Sequence, residues 1–154
     1  MEDFSDFYAE YWWGVPSEFA VVGESSYNLA ITKFLVNQIG FIPVKQIITE
    51  SPPEEYRNNI RKEFVNKADD VSVTPLFLED GYLVEQALIN SEEKPSIILG
   101  TNMGQRCSKG LGGNIVEIGF PASYEVVLSR TNVGYRGALS LIEKIFTIAI
   151  SASA

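Results

Sequence analysis

The chain of 154 residues carries 20 acidic and 12 basic side chains, a single cysteine and no histidine, for a net charge of −8. This length suits one globular domain, and the charge argues against the clustered lysines and arginines that non-specific binding to nucleic acid or an anionic membrane requires. With no histidine and with Cys107 alone, the chain has no imidazole for acid–base catalysis near neutral pH and no four-thiolate iron–sulfur site of its own.

The length of the apolar stretches, the first residues and the single cysteine indicate the cellular compartment. Apolar stretches are interrupted within about ten residues, whereas a membrane span needs about twenty. The start, Met1–Phe4, is acidic and lacks the basic region of a signal peptide. A lone cysteine cannot form an internal disulfide, which suits a reducing compartment. We therefore expect a cytoplasmic protein with no membrane segment and no nucleic-acid partner.

The first segment is predicted to be an N-terminal aromatic helical arm over residues 1–16. Its aromatic side chains recur at the spacing of one helix face: Phe4, Phe7, Tyr8 and Tyr11. Gly14 and Pro16 break the pattern. The arm packs either on its own domain or on a partner, and both remain open. Residues 17–154 are predicted to form a single Rossmann-like α/β domain that is a fragment of a larger subunit.

Strand and helix patterns alternate from residue 19 onward. The short apolar run Phe19–Gly23 predicts a buried strand, and a helical stripe follows from Ser26 to Ile39, closed by Gly40. Phe41–Thr49 is the second predicted strand. A charged helix then begins at Pro52 and Pro53 and runs to about Ala68, since proline costs nothing in a first helical turn.

The second half continues the same alternation. The predicted elements are, in order, a short strand near Val71–Thr74, a helix from Gly81 to Asn90, a strand at Ser96–Gly100, a small helix from Asn102 to Leu111, a strand at Asn114–Ile118, a long loop from Gly119 to Gly134 and a helix from Tyr135 to Ile150. Five strands alternating with helices predict a three-layer α/β domain around a mostly parallel sheet.

Candidate binding residues follow from that topology, because ligands of such sheets bind at loops beyond the carboxyl ends of the strands. Three strands end in glycine, which lets a ligand or another chain approach the backbone. The candidates on these loops are Gly23, Glu24, Ser25, Ser26, Gly100, Thr101, Asn102, Gly119, Phe120, Pro121 and Ser123.

Several motifs that suggest chemistry have plainer explanations. Gly23–Ser26 could hold an anion at a helix N-terminus, but Glu24 disfavours one, and Ser25 or Ser26 as an N-cap is the preferred interpretation. Gly110–Gly113 resembles a dinucleotide loop but precedes a strand, so we interpret it as a helix-ending turn.

Cys107 is interpreted as a structural thiol, because no histidine accompanies it. The pairs Asp69–Asp70 and Glu92–Glu93 are interpreted as solvated charges.

The long loop and the start of the last helix are dense in glycine, proline, aromatic and arginine residues. Loops of this length are uncommon without a role, so this stretch is the leading candidate for function. Arg130 and Arg136 are its basic groups. Arg136 lies in the first turn of the last predicted helix, where the positive end of the helix dipole disfavours a cation. The sequence leaves two explanations open, a specific anionic partner or an ion pair with a nearby carboxylate.

At this loop the sequence resembles the C-terminal signature of nitrogenase component 1 subunits. The resemblance is carried by Val116–Pro121 (VEIGFP), Val127–Thr131 (VLSRT) and Val133–Leu139 (VGYRGAL), an order most similar to the beta-type chains. Trp12–Glu24 and Ile97–Asn102 resemble the third Rossmann-like domain of that family, and the likeness covers nearly the whole chain.

The resemblance implies a domain that lines an inter-domain cleft for a metallocluster and substrate, makes subunit contacts and is inactive alone. In the family, an iron–sulfur or iron–molybdenum-type cluster sits between domains, a sister subunit assembles with the chain, and an ATP-dependent iron protein delivers electrons. Tyr135 and Arg136 would close the last helix against the cleft.

The departures from the family limit what this chain can do itself. Alpha-type chains carry a histidine cluster ligand just before the motif matching Gly134–Gly137, and this chain has no histidine. Cys107 matches none of the family's bridging-cluster cysteines. We therefore expect no catalytic residue, metal ligand or cofactor within the chain. Two other functions stay open, a cofactor-assembly scaffold domain and a standalone small-molecule-binding Rossmann-like module.

Overall fold

Among the residues that the structure describes, five parallel strands form one sheet in the order β3-β2-β1-β4-β5. The computed structural model describes residues 18–65, 73–101, 114–118 and 133–153. Its strands are β1 (Glu18–Gly23), β2 (Ile42–Ile48), β3 (Leu76–Phe77), β4 (Ile97–Gly100) and β5 (Asn114–Glu117). The predicted α/β class and the strand alternation are confirmed.

Helices cover both faces of this sheet and make the three predicted layers. They are α1 (Ser25–Phe34), which continues as a π-helical turn over Leu35–Ile39, α2 (Glu54–Val65), α3 (Gly81–Ile89) and α4 (Gly134–Ser153). Within the part of the chain that the structure describes, no helix is both long and apolar enough to cross a membrane.

The alternation of side chains along the strands divides the buried apolar residues into two layers. On one face, Phe19 and Val21 of β1 pack with Leu35 and with Ile145 of α4. On the other face, Ala20 and Val22 pack with two residues of α3, Val84 and Leu88. Because residues on both faces of β1 are buried, its sequence is a continuous apolar run rather than an alternating one.

The end of the first helix confirms the role expected of Gly40. Its backbone has a φ of 81°, a left-handed conformation that only glycine adopts without strain. The Gly40 N–H donates to the Val36 carbonyl at 3.2 Å, and the Phe41 N–H donates to the Leu35 carbonyl at 3.0 Å. These bonds satisfy carbonyls that the helix end would otherwise leave free.

The third strand is the element whose predicted position is wrong. Val73 and Thr74, at the end of the predicted strand, have no strand structure, and β3 begins at Leu76. Two residues are too few to show a period, so the position is decided by tertiary contacts. Phe77 lies under two α2 guanidiniums, those of Arg57 and Arg61, each 5.3 Å from the ring centroid.

Several predictions fall outside the described residues. They are the arm over 1–16, the small helix over 102–111 with Cys107 and Gly110–Gly113, the pair Asp69–Asp70, and residues 119–132 of the long loop with Arg130. Glu92 and Glu93 are exposed, as solvated charges should be.

Candidate functional site

The carboxyl ends of the strands form one edge of the sheet, here called the carboxyl edge and defined by Gly23, Gly100 and Glu117. The register pairs Gly100 with Glu117 and Val21 with Leu99. The sheet therefore places Gly23, Gly100 and the residues that directly follow them along one edge, as the parallel topology predicts. Candidates Asn102, Gly119, Phe120, Pro121 and Ser123 lie outside the described residues.

The start of α1 is built differently from the N-cap that we predicted at Ser25 or Ser26. Glu24 is the N-cap, with no side-chain capping bond, and Ser25 is the first helical residue. The carboxylate of Glu50 takes the cap's place: its Oε2 accepts from the Ser25 Oγ at 2.8 Å and from the Ser25 N–H at 3.4 Å. The Ser26 Oγ donates to Glu24 Oε1 at 3.1 Å.

This arrangement removes the reason to expect an external anion at Gly23–Ser26. A helix N-terminus attracts anions through its free N–H groups and its partial positive charge. Here the carboxylate of Glu50 already lies at that terminus, and Glu24 adds a second negative charge nearby. The protein's own carboxylate therefore fills the position that a ligand phosphate would take.

The two described strand-ending glycines serve different purposes. A Cβ added to Gly100 would lie 3.0 Å from the Val22 carbonyl oxygen and 3.3 Å from the Val22 Cβ, so the close packing of β4 on β1 requires glycine. A Cβ at Gly23 would meet nothing within 4 Å. The tight approach at Gly100 is thus to the neighbouring strand, whereas the backbone at Gly23 has open space beside it.

A buried polar network ties α1 to the two strands beneath it. Asn28 is fully buried, and its Nδ2 donates to the Val21 carbonyl at 3.1 Å and to the Ile47 carbonyl at 2.9 Å. The Thr32 Oγ1 lies 3.3 Å from Asn28 Oδ1 and 3.2 Å from Gln46 Oε1. Within the described residues, the buried Nε2 of Gln46 has no hydrogen-bond partner. Asn28 thereby holds the first turns of α1 over the junction of β1 and β2.

The end of β5 is held by side chains from two helices. The Tyr27 hydroxyl of α1 donates to the Ile118 carbonyl at 2.8 Å. The Lys144 ammonium of α4 donates to the Glu117 carbonyl at 3.1 Å. Lys144 and Glu117 are only 8% and 7% exposed. A lysine buried to this degree is rare and needs hydrogen-bond acceptors for its charge.

The first turn of α4 carries the remaining candidates and faces solvent. Gly134 has a φ of 74°, Tyr135 is 82% exposed, and Arg136 is exposed. The first turn of α4 contains no acidic residue. No ion pair joins Arg136 to a carboxylate in the described ranges, so the intramolecular alternative for this arginine finds no support there.

Among the described residues, metal-ligating groups do not converge at this edge. Across residues 18–65, 73–101, 114–118 and 133–153, no three histidine, cysteine, aspartate or glutamate side chains are placed to hold a metal ion. The two carboxylates nearest the start of α1, those of Glu24 and Glu50, accept from serine hydroxyls. The described donor set does not fit a metallocluster, so any cluster bound near this edge needs ligands from elsewhere.

An open groove of about 450 Å3 runs between α1 and α2 beside the site. Leu29 and Ile60 supply its apolar side chains. The polar residues that line it are Ser25, Ser26, Asn59, Lys62 and Glu63.

Four side chains that build this edge were not singled out from the sequence: Tyr27, Asn28, Glu50 and Lys144. Two of them left a signal. Asn28 interrupts the apolar stripe of α1, and Lys144 stands between Leu141 and Ile145, both buried. A polar residue at an inward-facing helix position indicates a buried polar contact. Glu50 left no such signal.

The comparisons with known proteins agree with this architecture. A family model described as nitrogenase component 1 type oxidoreductase matches residues 6–149. A solved chain, titled nitrogenase Cp1 at pH 6.5, superposes with a TM-score of 0.76 at 19% sequence identity, over 97% of this chain and 32% of that one. No curated protein sequence matches. At this identity the structural likeness concerns the fold, and the chain spans about a third of the solved one.

Proposed function

The chain belongs to the nitrogenase component 1 type oxidoreductase family, and we propose that it is one domain of a larger, nitrogenase-like reductase subunit. Its carboxyl edge forms one wall of an inter-domain cleft for a metallocluster and substrate, and the domain also contacts a sister subunit. It has no activity in isolation. The observation that carries this proposal is the family match over residues 6–149 together with a fold covering 32% of a solved nitrogenase chain.

The geometry of the carboxyl edge supports a wall rather than a complete site. Side chains of α1 and α4 fix the ends of β1, β2 and β5 through bonds to Val21, Ile47 and Ile118 and to the Glu117 carbonyl. A rigid surface of this kind can position a neighbouring domain or a ligand held between domains. The first turn of α4 then supplies exposed groups, Tyr135 and Arg136, for contact.

The cluster of such an assembly, an iron–sulfur or iron–molybdenum type, takes its ligands from other domains or subunits in this proposal. The chain has no histidine and one cysteine, and the described carboxylates do not converge. The partners we propose are a sister component 1 subunit and an ATP-dependent iron protein that supplies electrons, all in the cytoplasm. The net charge of −8 gives no basis for a nucleic-acid partner.

The size of the native gene product tests the proposal directly. An immunoblot of source-cell extract with antibody against this domain should show a band several times larger than 17.1 kDa. A band at 17.1 kDa would overturn the subunit role and favour the standalone module, with ligands screened at the groove between α1 and α2. A purified assembly that transfers clusters without substrate turnover would favour the scaffold alternative instead.

Arg136 supplies a second test, within the assembly. Arg136→Ala should lower reductase activity by about tenfold, the loss expected when a charge-assisted contact to an anionic partner is removed. The free energy of unfolding should stay within about 0.5 kcal/mol of the parent value, because the side chain is exposed. Lys94→Ala, which removes another exposed cation, is the matched control and should leave activity unchanged. Unchanged activity in Arg136→Ala would remove this residue from the site.

A further inference from the structure

The strand β3 is too short to fix its own position in the sheet. Among the described residues it has two members, Leu76 and Phe77, and pairs with β2 alone. The Leu78 N–H adds one bond just beyond the strand, to the Ile48 carbonyl at 2.9 Å. A strand of two residues offers few ladder bonds, so side-chain contacts must supply the rest of its attachment.

The ring of Phe77 supplies such a contact on the side of α2. Side chains alternate along the strand, so Phe77 faces α2 while Leu78 packs on the other face, with the layer that contains α3. The guanidiniums of Arg57 and Arg61, one helical turn apart, each lie 5.3 Å from the ring centroid. This distance is within the range of a cation–π attraction. A slip of one residue would turn Phe77 away from both arginines, so the ring fixes the register of β3.

Arg57 also binds the loop that follows β2. Its Nε donates to the Pro52 carbonyl at 2.7 Å, and its Nη2 donates to the Ser51 Oγ at 2.7 Å. Its Nη1 lies 3.9 Å from Glu54 Oε2. The donors of a guanidinium lie in one rigid plane, so a single group holds both the loop and the ring. Arg61 contacts the same ring but bonds within α2, to Glu54 Oε1 at 2.8 Å.

We infer that Arg57 is a positioning residue that joins two neighbouring loops of the carboxyl edge, the one between β2 and α2 and the one between β3 and α3. The second loop is short. Leu78 follows β3 directly, and Asp80 caps α3 by accepting from the Tyr82 N–H at 2.8 Å. Holding Phe77 therefore also places the start of α3. This link makes the β2–β3 end of the carboxyl edge one rigid unit, whichever partner the edge contacts.

Amide hydrogen exchange in the full native protein tests the link, with Phe77→Leu as the first variant. The change removes the ring but keeps an apolar side chain. Exchange at Leu78 should become about fivefold faster, as expected when two cation–π contacts of partly exposed arginines are lost. Exchange should also become faster at the Arg57 amide, which follows the other loop and donates to the Pro53 carbonyl at 3.1 Å. Phe77→Tyr keeps the ring and should restore both rates.

Arg57→Lys tests the link from the other side. Lysine keeps the charge but loses the planar fork that bonds Ser51 and Pro52. Exchange at Leu78 should become about two- to threefold faster, as expected for one weakened cation–π contact. When Arg57→Lys is combined with Phe77→Leu, the acceleration at Leu78 should be less than the product of the two single effects, because both act through one contact. Lys62→Met, at an exposed cation of α2, is the control and should leave both rates unchanged.

Three results would overturn the inference. Faster exchange at Leu78 with the Arg57 amide unchanged in Phe77→Leu would show that the two loops move separately. Multiplicative effects in the double variant would show that Arg57 acts independently of the ring. Equal acceleration in every strand, or the same acceleration in Lys62→Met, would show a general loss of stability rather than a local link.

Discussion

The two sides of α1 are anchored by different chemistry. Toward β2, its first turns are held by a carboxylate at the helix terminus, Glu50, and by the fully buried amide of Asn28. Toward β5, Tyr27 bonds a backbone carbonyl just past the end of the strand. On the β2 side, the N-terminus of α1 therefore already has an anionic partner within the protein, the carboxylate of Glu50. The β5 side fixes the backbone and leaves the nearby first turn of α4 exposed.

This difference indicates which half of the carboxyl edge is available to a partner. At the start of α1, the hydroxyl and the N–H of Ser25 already bond Glu50, which leaves this helix terminus little polar capacity for an anionic ligand. On the β5 side, Tyr135 is 82% exposed and Arg136 is also exposed. We expect substitutions on the β2 side to alter stability, and those at the start of α4 to alter assembly activity. The predictions below examine that division, beginning with the largest expected effect.

Asn28→Asp should be the most destabilising change on the β2 side. The substitution keeps the shape of the side chain but replaces the donor to the Val21 and Ile47 carbonyls with a buried, negatively charged acceptor. At pH 7 we expect a loss of about 3–5 kcal/mol in the free energy of unfolding, typical of an uncompensated buried charge. Denaturant unfolding measures it. Asn59→Asp, on the exposed surface of α2, is the control, and equal losses in both would refute the anchoring role of Asn28.

The strand-ending glycines give the next largest contrast. Gly100→Ala places a Cβ 3.0 Å from the Val22 carbonyl oxygen, so the backbones of β1 and β4 must separate, at a cost of about 1–3 kcal/mol. Gly23→Ala meets no atom within 4 Å and should change the free energy of unfolding by less than about 1 kcal/mol, in the stabilising direction. Thermal or denaturant unfolding of the pair decides the matter. A larger loss at Gly23 than at Gly100 would reverse our assignment of the two roles.

Glu50→Gln tests whether the helix terminus is closed to external anions. Losing the charge beside the Ser25 N–H should cost about 0.5–1 kcal/mol. The glutamine amide still fits beside Ser25 but no longer repels an anion, so added phosphate should raise the melting temperature of this variant more than that of the parent. Glu79→Gln, on an exposed glutamate, controls for general salt effects. The same phosphate response in all three proteins would mean that Glu50 does not exclude anions.

The smallest effect is expected at Gln46, whose buried Nε2 has no partner in the described residues. Gln46→Met removes that amide at nearly constant volume. The Thr32 hydroxyl can still donate to Asn28 Oδ1 in this variant. Because the unpaired group already costs free energy, the net change in the free energy of unfolding should lie within about 1 kcal/mol of zero. A loss above about 2 kcal/mol would show that the amide does have a partner, such as a buried water.

Local patterns predicted the elements well wherever the signal lay within a few residues. The apolar run of β1 and the turn at Gly40 are both of this kind, and both agree with the structure. The position of β3 was wrong because a two-residue strand has no period and depends on Ile47, Ile48 and the arginines above Phe77. The predicted N-cap at Ser25 or Ser26 was wrong because the actual acceptor, Glu50, lies 25 residues away.

The sequence by itself determined the class of the fold and the order of its described elements, and it excluded histidine ligands and a four-thiolate site within the chain, which has no histidine and one cysteine. Composition and short-range periodicity are sufficient for these conclusions. The tertiary structure alone decided which groups meet at the carboxyl edge. Tyr27 and Ile118 are 91 residues apart, and only the folding of the parallel sheet brings a hydroxyl on the first helix to a carbonyl beyond the last strand.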